Sequence, residues 1–178
     1  MVHITYFVHG TTTDNEQKLA TGWLPGELSE LGLEQTRQLA EQIKGRTFDV
    51  VICSDLHRAI QTTEIMFGKD FIQDKRLREA NYGDWNGASH TLFKSHMEDF
   101  VDTPFPGGES YRDVEARMRA LCEDLKLKYD GERVALIAHQ APQLALDVIL
   151  KGKTWPRAIA EDWRNTKAFR PGWEYTLK

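Results

Sequence analysis

Three short apolar runs, each cut off by polar residues, set the strongest limit on how this chain can fold. Ile4 to Val8 stops at His9-Gly10, Phe48 to Cys53 stops at Ser54-Asp55, and Arg133 to Ala138 stops at His139-Gln140. Near-continuous runs of this length suit strands buried on both faces of a largely parallel sheet. Helical periodicity fills the intervals. Leu33, Thr36, Leu39, Ala40 and Ile43 share one face, with Ser29 placed as a cap. Ala59, Thr62, Thr63 and Met66 mark a second helix, and Tyr111, Val114, Met118, Leu121, Cys122 and Leu125 a third. Leu144, Ala145, Val148 and Ile149 mark a fourth, with Pro142 tolerated in its first turn. Strands alternating with helices predict an α/β fold, a three-layer αβα sandwich around a mostly parallel sheet. Trp173 to Leu177 alternates large apolar with polar residues and reads as an edge strand.

The 178 residues are expected to form one domain, with a small insertion at about 88–105. A hydrophobic fraction of 40%, evenly spread, is too high for a disordered chain. The net charge of -4 and the lack of a basic run argue against a nucleic-acid or acidic-membrane partner. No apolar stretch is long enough to span a bilayer. Met1 to Tyr6 lacks the charged start and long apolar core of a signal peptide, so the expected location is cytoplasmic. Cys53 and Cys122 give neither a disulfide framework nor a metal-ligand spacing. Oligomeric state has no signature in the sequence.

In open α/β sheets, ligands bind beyond the carboxyl ends of the strands. His9-Gly10, Ser54-Asp55 with His57 and Arg58, and His139-Gln140 are placed to converge there. Two of six histidines end buried strands, each before a helix start, and helix N-termini attract anions such as phosphate. Arg58, in the first turn of its helix, is placed to fork onto phosphate oxygens. Bland readings stand beside these. A histidine at a strand end is often only a hydrogen-bonded structural residue, and Glu79, between Arg76 and Arg78, reads alone as a surface carboxylate in an ion pair. His57 reads as capping or packing near the site, and His90 and His96 as surface residues of a polar insertion. Trp155, Trp163 and Trp173 read as aromatic anchors of the C-terminal edge.

Val8-His9-Gly10-Thr11-Thr12-Thr13-Asp14-Asn15 resembles the opening motif of the histidine phosphatase superfamily, which includes cofactor-dependent phosphoglycerate mutases. Gly22 to Gly32, Cys53 to Thr62, Arg76 to Gly87, Pro106 to Ser110 and Ala135 to His139 resemble the family's later segments in the same order. The resemblance implies a phosphoglycerate mutase-like fold and a phosphohydrolase of small phosphomonoesters, with His9 as nucleophile and Glu79 as proton donor and then base. It implies that Arg58, His139 and Asn15 bind the phosphoryl group, with Gly10, Thr12 and Gln140 as further contacts, and that no metal or organic cofactor is needed. An imidazole attacks only while its nitrogen is unprotonated, so an acceptor must hold the proton on the other ring nitrogen. The dual role of Glu79 needs a carboxyl tuned toward neutrality.

Four positions depart from the family pattern. Val8 stands where the family has an arginine that gives a second guanidinium to phosphate; losing such a partner costs roughly 1.5–3 kcal/mol, or about 10- to 150-fold. Thr11 replaces a frequent glutamate and begins a run of three threonines whose hydroxyls read equally as phosphate donors that partly replace the arginine or as turn formers. Gln140-Ala141-Pro142 follows the second histidine in place of Gly-Gly, and Pro142 removes an N–H from that helix start. Asp55 replaces a proline, and its charge is expected to point away from bound phosphate. These departures motivate a rival reading, a weak or inactive phosphate-binding or interaction protein. Mutase activity ranks lower, because only a short cover separates Gly87 from Gly107. A cysteine phosphatase loop on Cys53 and Arg58 is disfavoured by four intervening residues, none of them glycine, where five are needed. A metal hydrolase on His9, Asp55, His57 and His139 lacks any supporting ligand spacing.

Overall fold

Successive side chains of a strand face opposite sides of a sheet, and in this chain both sides are apolar. The computed structural model describes residues 1–166 and 171–178. The strands are β1 (Val2–Val8), β2 (Leu19–Ala20), β3 (Val50–Cys53), β4 (Ile72–Gln73), β5 (Ala88–Ser89), β6 (Arg133–Ala138) and β7 (Trp173–Leu177). The helices are α1 (Thr13–Glu16), α2 (Glu30–Gln42), α3 (His57–Phe67), α4 (His90–Ser95), α5 (Tyr111–Lys128), α6 (Gln140–Lys151), α7 (Trp155–Ala160) and α8 (Trp163–Thr166).

The main sheet has the order β4-β3-β6-β1-β7; its first four strands are parallel, and β7 runs antiparallel at the edge. Ile4, Tyr6 and Val8 of β1 and Val134, Leu136 and Ala138 of β6 join a core with α5 and α6 through Met118, Leu121, Leu125 and Leu144. The residues between them, Phe7, Ala135 and Ile137, meet Leu39 and Ile43 at the end of α2. One face of the sheet is therefore closed by α2 and α3 and the other by α5 and α6, the expected αβα sandwich. No helix among the described residues is long and apolar enough to cross a membrane.

Register places the chemistry. Val8 pairs with Ala138 and Cys53 with Ile137, so His9, Ser54 and His139 leave three adjacent strands side by side. The ladder continues just past the strands, where His9 N–H donates to Ala138 O at 3.1 Å and Ser54 N–H to Ile137 O at 3.0 Å.

Two expectations change. The second strand begins at Val50, not Phe48; Phe48 instead meets Phe7 edge-on, with ring centroids 6.0 Å apart. The segment 88–105 is not a polar surface loop. Its β5 pairs with β2, and Phe93, Met97, Val101 and Phe105 are buried in the larger core. Its apolar residues are spread over a six-residue helix, a 3-10 turn (Met97–Phe100) and the residues just beyond, too short and scattered for a periodic signal.

Candidate active site

His9 is fixed by the turn that follows β1. The loop crosses the start of α2 so closely that a Cβ at Gly32 would lie 1.9 Å from Thr11 O. Ser29, the N-cap of α2, accepts from Gly32 N–H and donates its own N–H to Thr11 O at 3.0 Å. Within this turn His9 Nδ1 lies 2.7 Å from Gly10 O. A carbonyl only accepts, so the ring proton sits on Nδ1 and Nε2 keeps its lone pair. Arg58 Nε donates to that Nε2 at 3.3 Å. Burial, reinforced by the Arg58 charge, lowers the His9 pKa to about 3 against the Gly10 bond, so the imidazole is neutral.

Arg58 is almost fully buried, and its remaining nitrogens donate to Gly22 O at 2.7 Å and Leu24 O at 3.2 Å. These carbonyls hold the guanidinium against His9. Desolvation lowers the Arg58 pKa, opposed by the Glu79 charge.

His139 is wholly buried, and its ring centroid lies 5.1 Å from that of His9. Its N–H donates to Tyr6 Oη at 2.9 Å, and Tyr6 Oη donates back to His139 O at 2.7 Å. Nε2 meets Ser54 Oγ at 2.8 Å, while Nδ1 is buried with no partner among the described residues. Burial, with the charge of Arg58, holds the His139 pKa well below its usual value. Ser54 Oγ also accepts Leu56 N–H at 3.2 Å and keeps a hydroxyl proton that can go to His139 Nε2. Where the Ser54 hydroxyl donates to Nε2, the imidazole proton sits on the unpartnered Nδ1.

Glu79 is buried beside the start of α6. Its Oε1 accepts N–H bonds from Ala80 and Ala141, both at 2.9 Å, and its Oε2 accepts from Gln140 N–H at 3.0 Å. Its main-chain carbonyl accepts from Trp23 Nε1 at 2.6 Å and Arg117 Nη2 at 3.0 Å. The surface ion pair is not formed, because Arg76 binds Asp74 and Asp124 and Arg78 binds Asp55. The helix start that the sequence offers to an external anion thus holds the protein's own carboxylate. Pro142 removes nothing the site uses, since the donors are residues 140 and 141.

His9, Arg58, Glu79, Asn15 and Gln140 line one cavity of about 330 Å³, and Val8 contributes an apolar patch to its wall. Several predicted contacts are engaged elsewhere. Gly10 N–H donates to Thr62 Oγ1 at 3.2 Å. Thr12 and Asn15 cap α1 reciprocally, with Thr12 N–H on Asn15 Oδ1 and Asn15 N–H on Thr12 Oγ1, both at 3.1 Å. The Nδ2 amide of Asn15 is the part left for a ligand. The Gln140 side chain donates to Asp162 Oδ2. Asp55 accepts two bonds from Arg78, at 2.7 and 2.6 Å, which lower its pKa.

The remaining candidates separate cleanly. His57, expected to cap or pack near the site, is exposed at the first position of α3. His9, Asp55, His57 and His139 therefore do not gather as a metal set, and among the described residues no other group of three or more His, Cys, Asp or Glu does. Burial pushes the Cys53 thiol up to about 11, which disarms it as a nucleophile. His90 is exposed yet lines the cavity, whereas His96 stands half-buried against the Trp85 ring at 5.6 Å. Sequence reasoning missed Tyr6, Lys18, Trp163 and Arg164. Tyr6 reads only as part of a buried strand. Lys18 lies in a turn, and Trp163 and Arg164 in a four-residue helix, none with a periodic signal.

The profile of the histidine phosphatase superfamily (branch 1) matches residues 6–169. A 2,3-bisphosphoglycerate-dependent phosphoglycerate mutase of Methylorubrum extorquens is 34% identical over 164 residues, covering 82% of this chain and 77% of the mutase. The solved structure of a mycobacterial glucosyl-3-phosphoglycerate phosphatase, in complex with VO3, is similar with a TM-score of 0.78 and 32% identity, covering 89% of this chain and 86% of that one. The phosphoglycerate mutase of Bacillus anthracis shares the fold, with a TM-score of 0.74 at 22% identity over 85% of this chain and 80% of its own. With a matching profile across nearly its whole length, and relatives on both the mutase and the phosphatase side, the chain belongs to the histidine phosphatase superfamily.

Proposed function

We propose that this protein hydrolyses a small phosphomonoester through a phosphohistidine on His9. The observation that carries the reading is the 2.7 Å bond from His9 Nδ1–H to Gly10 O, which leaves Nε2 unprotonated beside Arg58. In the first step Nε2 attacks phosphorus as the bond to the leaving oxygen breaks. Arg58, the Nδ1–H of His139 and the Asn15 amide take the equatorial oxygens, and a phosphoryl oxygen is the partner that His139 Nδ1 otherwise lacks. Glu79 gives the leaving alcohol a proton. In the second step Glu79 takes a proton from water, which attacks phosphorus and releases phosphate from His9. Phosphoryl transfer is mostly positioning and electrostatics, and each role falls to a group of this chain, with no metal or organic cofactor written into a step. Gly10 acts through its carbonyl, and Thr12 and Gln140 position Asn15 and the start of α6.

Hydrolysis is preferred to mutase transfer because exposed Lys18 and His90 form part of the cavity wall, so water reaches the phosphohistidine from that side. The test is turnover of a phosphomonoester panel with chelator present, by the parent and by His9→Ala, with rapid quenching to trap acid-labile phosphohistidine. Turnover and trapped phosphate that both vanish in His9→Ala support the reading. Turnover indifferent to His9, or none in the parent, overturns it. Conversion of a phosphoglycerate primed by its bisphosphate, without net release of phosphate, would assign mutase chemistry instead.

A further inference from the structure

Val8 contributes only methyl groups to the wall of the cavity and is itself core, packed with the α5–α6 side of the sheet. Arg58 has its Nε on His9 and its two Nη groups on carbonyls. Another guanidinium enters the same wall from a part of the chain far from every motif. Arg164, in α8, lines the cavity with its side chain 27% exposed. Its Nη1 donates to Asp162 Oδ1 at 3.1 Å, and its guanidinium carbon stands 4.6 Å from the centroid of the Trp163 ring. Asp162 is buried, its side chain 3% exposed, and its other oxygen accepts from Gln140 Nε2. Gln140 N–H in turn holds Glu79. One hydrogen-bonded line thus ties the Arg164 head group to the carboxyl that serves the leaving group.

We propose that Arg164 is a phosphoryl-binding residue that supplies the second guanidinium the family resemblance expects at position 8. The proposal rests on the phosphohydrolase reading of the same site. A guanidinium has five N–H donors in a rigid fork; Asp162 takes one nitrogen, and Nε and Nη2 have no partner among the described residues. Stacking on Trp163 and the bond to Asp162 aim that fork in advance, so little side-chain freedom is lost when an anion arrives. Lys18, the exposed cation in the same wall, has no described partner to aim its ammonium. The Arg164 charge also acts on both imidazoles, helping to keep His9 and His139 unprotonated.

The structural alternative is that Arg164 only neutralises Asp162. Calorimetric binding of inorganic phosphate to the full chain separates the two, because it needs no turnover. Arg164→Gln is expected to weaken phosphate at least ~10-fold, with Arg164→Lys falling between, while the Tm stays within a few degrees of the parent. Adding Val8→Arg to Arg164→Gln is expected to recover most of the loss. Phosphate affinity equal to the parent in folded Arg164→Gln overturns the proposal, as does a parent that binds no phosphate. Arg164-dependent binding without turnover would sink the hydrolase reading alone. Turnover with Arg164-independent binding would sink this proposal alone.

Discussion

Glu79 and His9 illustrate how little at the reacting atoms is left to side-chain choice. Each is positioned by main-chain groups, Glu79 by three N–H donors and His9 by one carbonyl. Glu79→Gln keeps one carbonyl oxygen for those donors but loses the exchangeable proton. Turnover is expected to fall about 10²- to 10⁴-fold, with phosphate affinity changed less than about tenfold; equal turnover would remove Glu79 from its role. For His9, two-bond ¹H–¹⁵N spectra of the free protein are expected to show the neutral Nδ1–H tautomer without titration from pH 8 down to 5. A midpoint near 6.5 would contradict the buried, arginine-facing imidazole. His9, Arg58, Glu79 and His139 were legible from motif and strand end. Arg164 was not, because it comes from a four-residue helix that no pattern announces. The occupied N–H groups of Gly10 and of the α6 start were also hidden, since a sequence names donors but not the acceptors that claim them.

At the level of elements, the contact between the His9 loop and α2 is among the tightest constraints on the site. Thr36 Oγ1 and Gly32 O would each lie 2.6 Å from a Cβ at Gly10, and the reverse approach at Gly32 is closer still. Gly32→Ala is therefore expected to cost about 3 kcal/mol by overpacking, a fall of several degrees in Tm. It should also displace Gly10 O and slow turnover. Normal Tm and turnover in Gly32→Ala would show that the loop can give way freely. The long helices were readable because their apolar stripes repeat over several turns. The two-residue strands β2, β4 and β5 were not, because two residues have no period. The insertion misled for a related reason: Phe93 and Phe105, buried side by side, are twelve positions apart in a segment whose other residues are largely polar.

For the whole molecule, the site's neutral histidines weigh on folding itself. In the unfolded chain His9 and His139 titrate near 6.5; in the native state both stay unprotonated well below that, His9 to about 3. The unfolded state therefore binds more protons as pH falls below 6.5, and stability declines with it. Two such groups give a slope of up to roughly 2.7 kcal/mol per pH unit between about pH 6 and 5, before the carboxylates enter. Urea unfolding at pH 7, 6 and 5 should show this decline, and His9→Ala should make it shallower. A pH-independent midpoint in the parent would mean that the imidazoles are solvated. A mostly parallel sheet was implicit in the three buried runs, but the strand order and register that bring His9 beside His139 were not, because they depend on the contacts the strands make with one another and with α5, α6 and α2. That register has a further outcome through Glu79. Because the carboxyl is gripped by the main chain of α6, the side chains at 141 and 142 can change without moving the acid. The Gln-Ala-Pro that looks like decay in a comparison of letters is, to the carboxylate, the same pair of amide hydrogens.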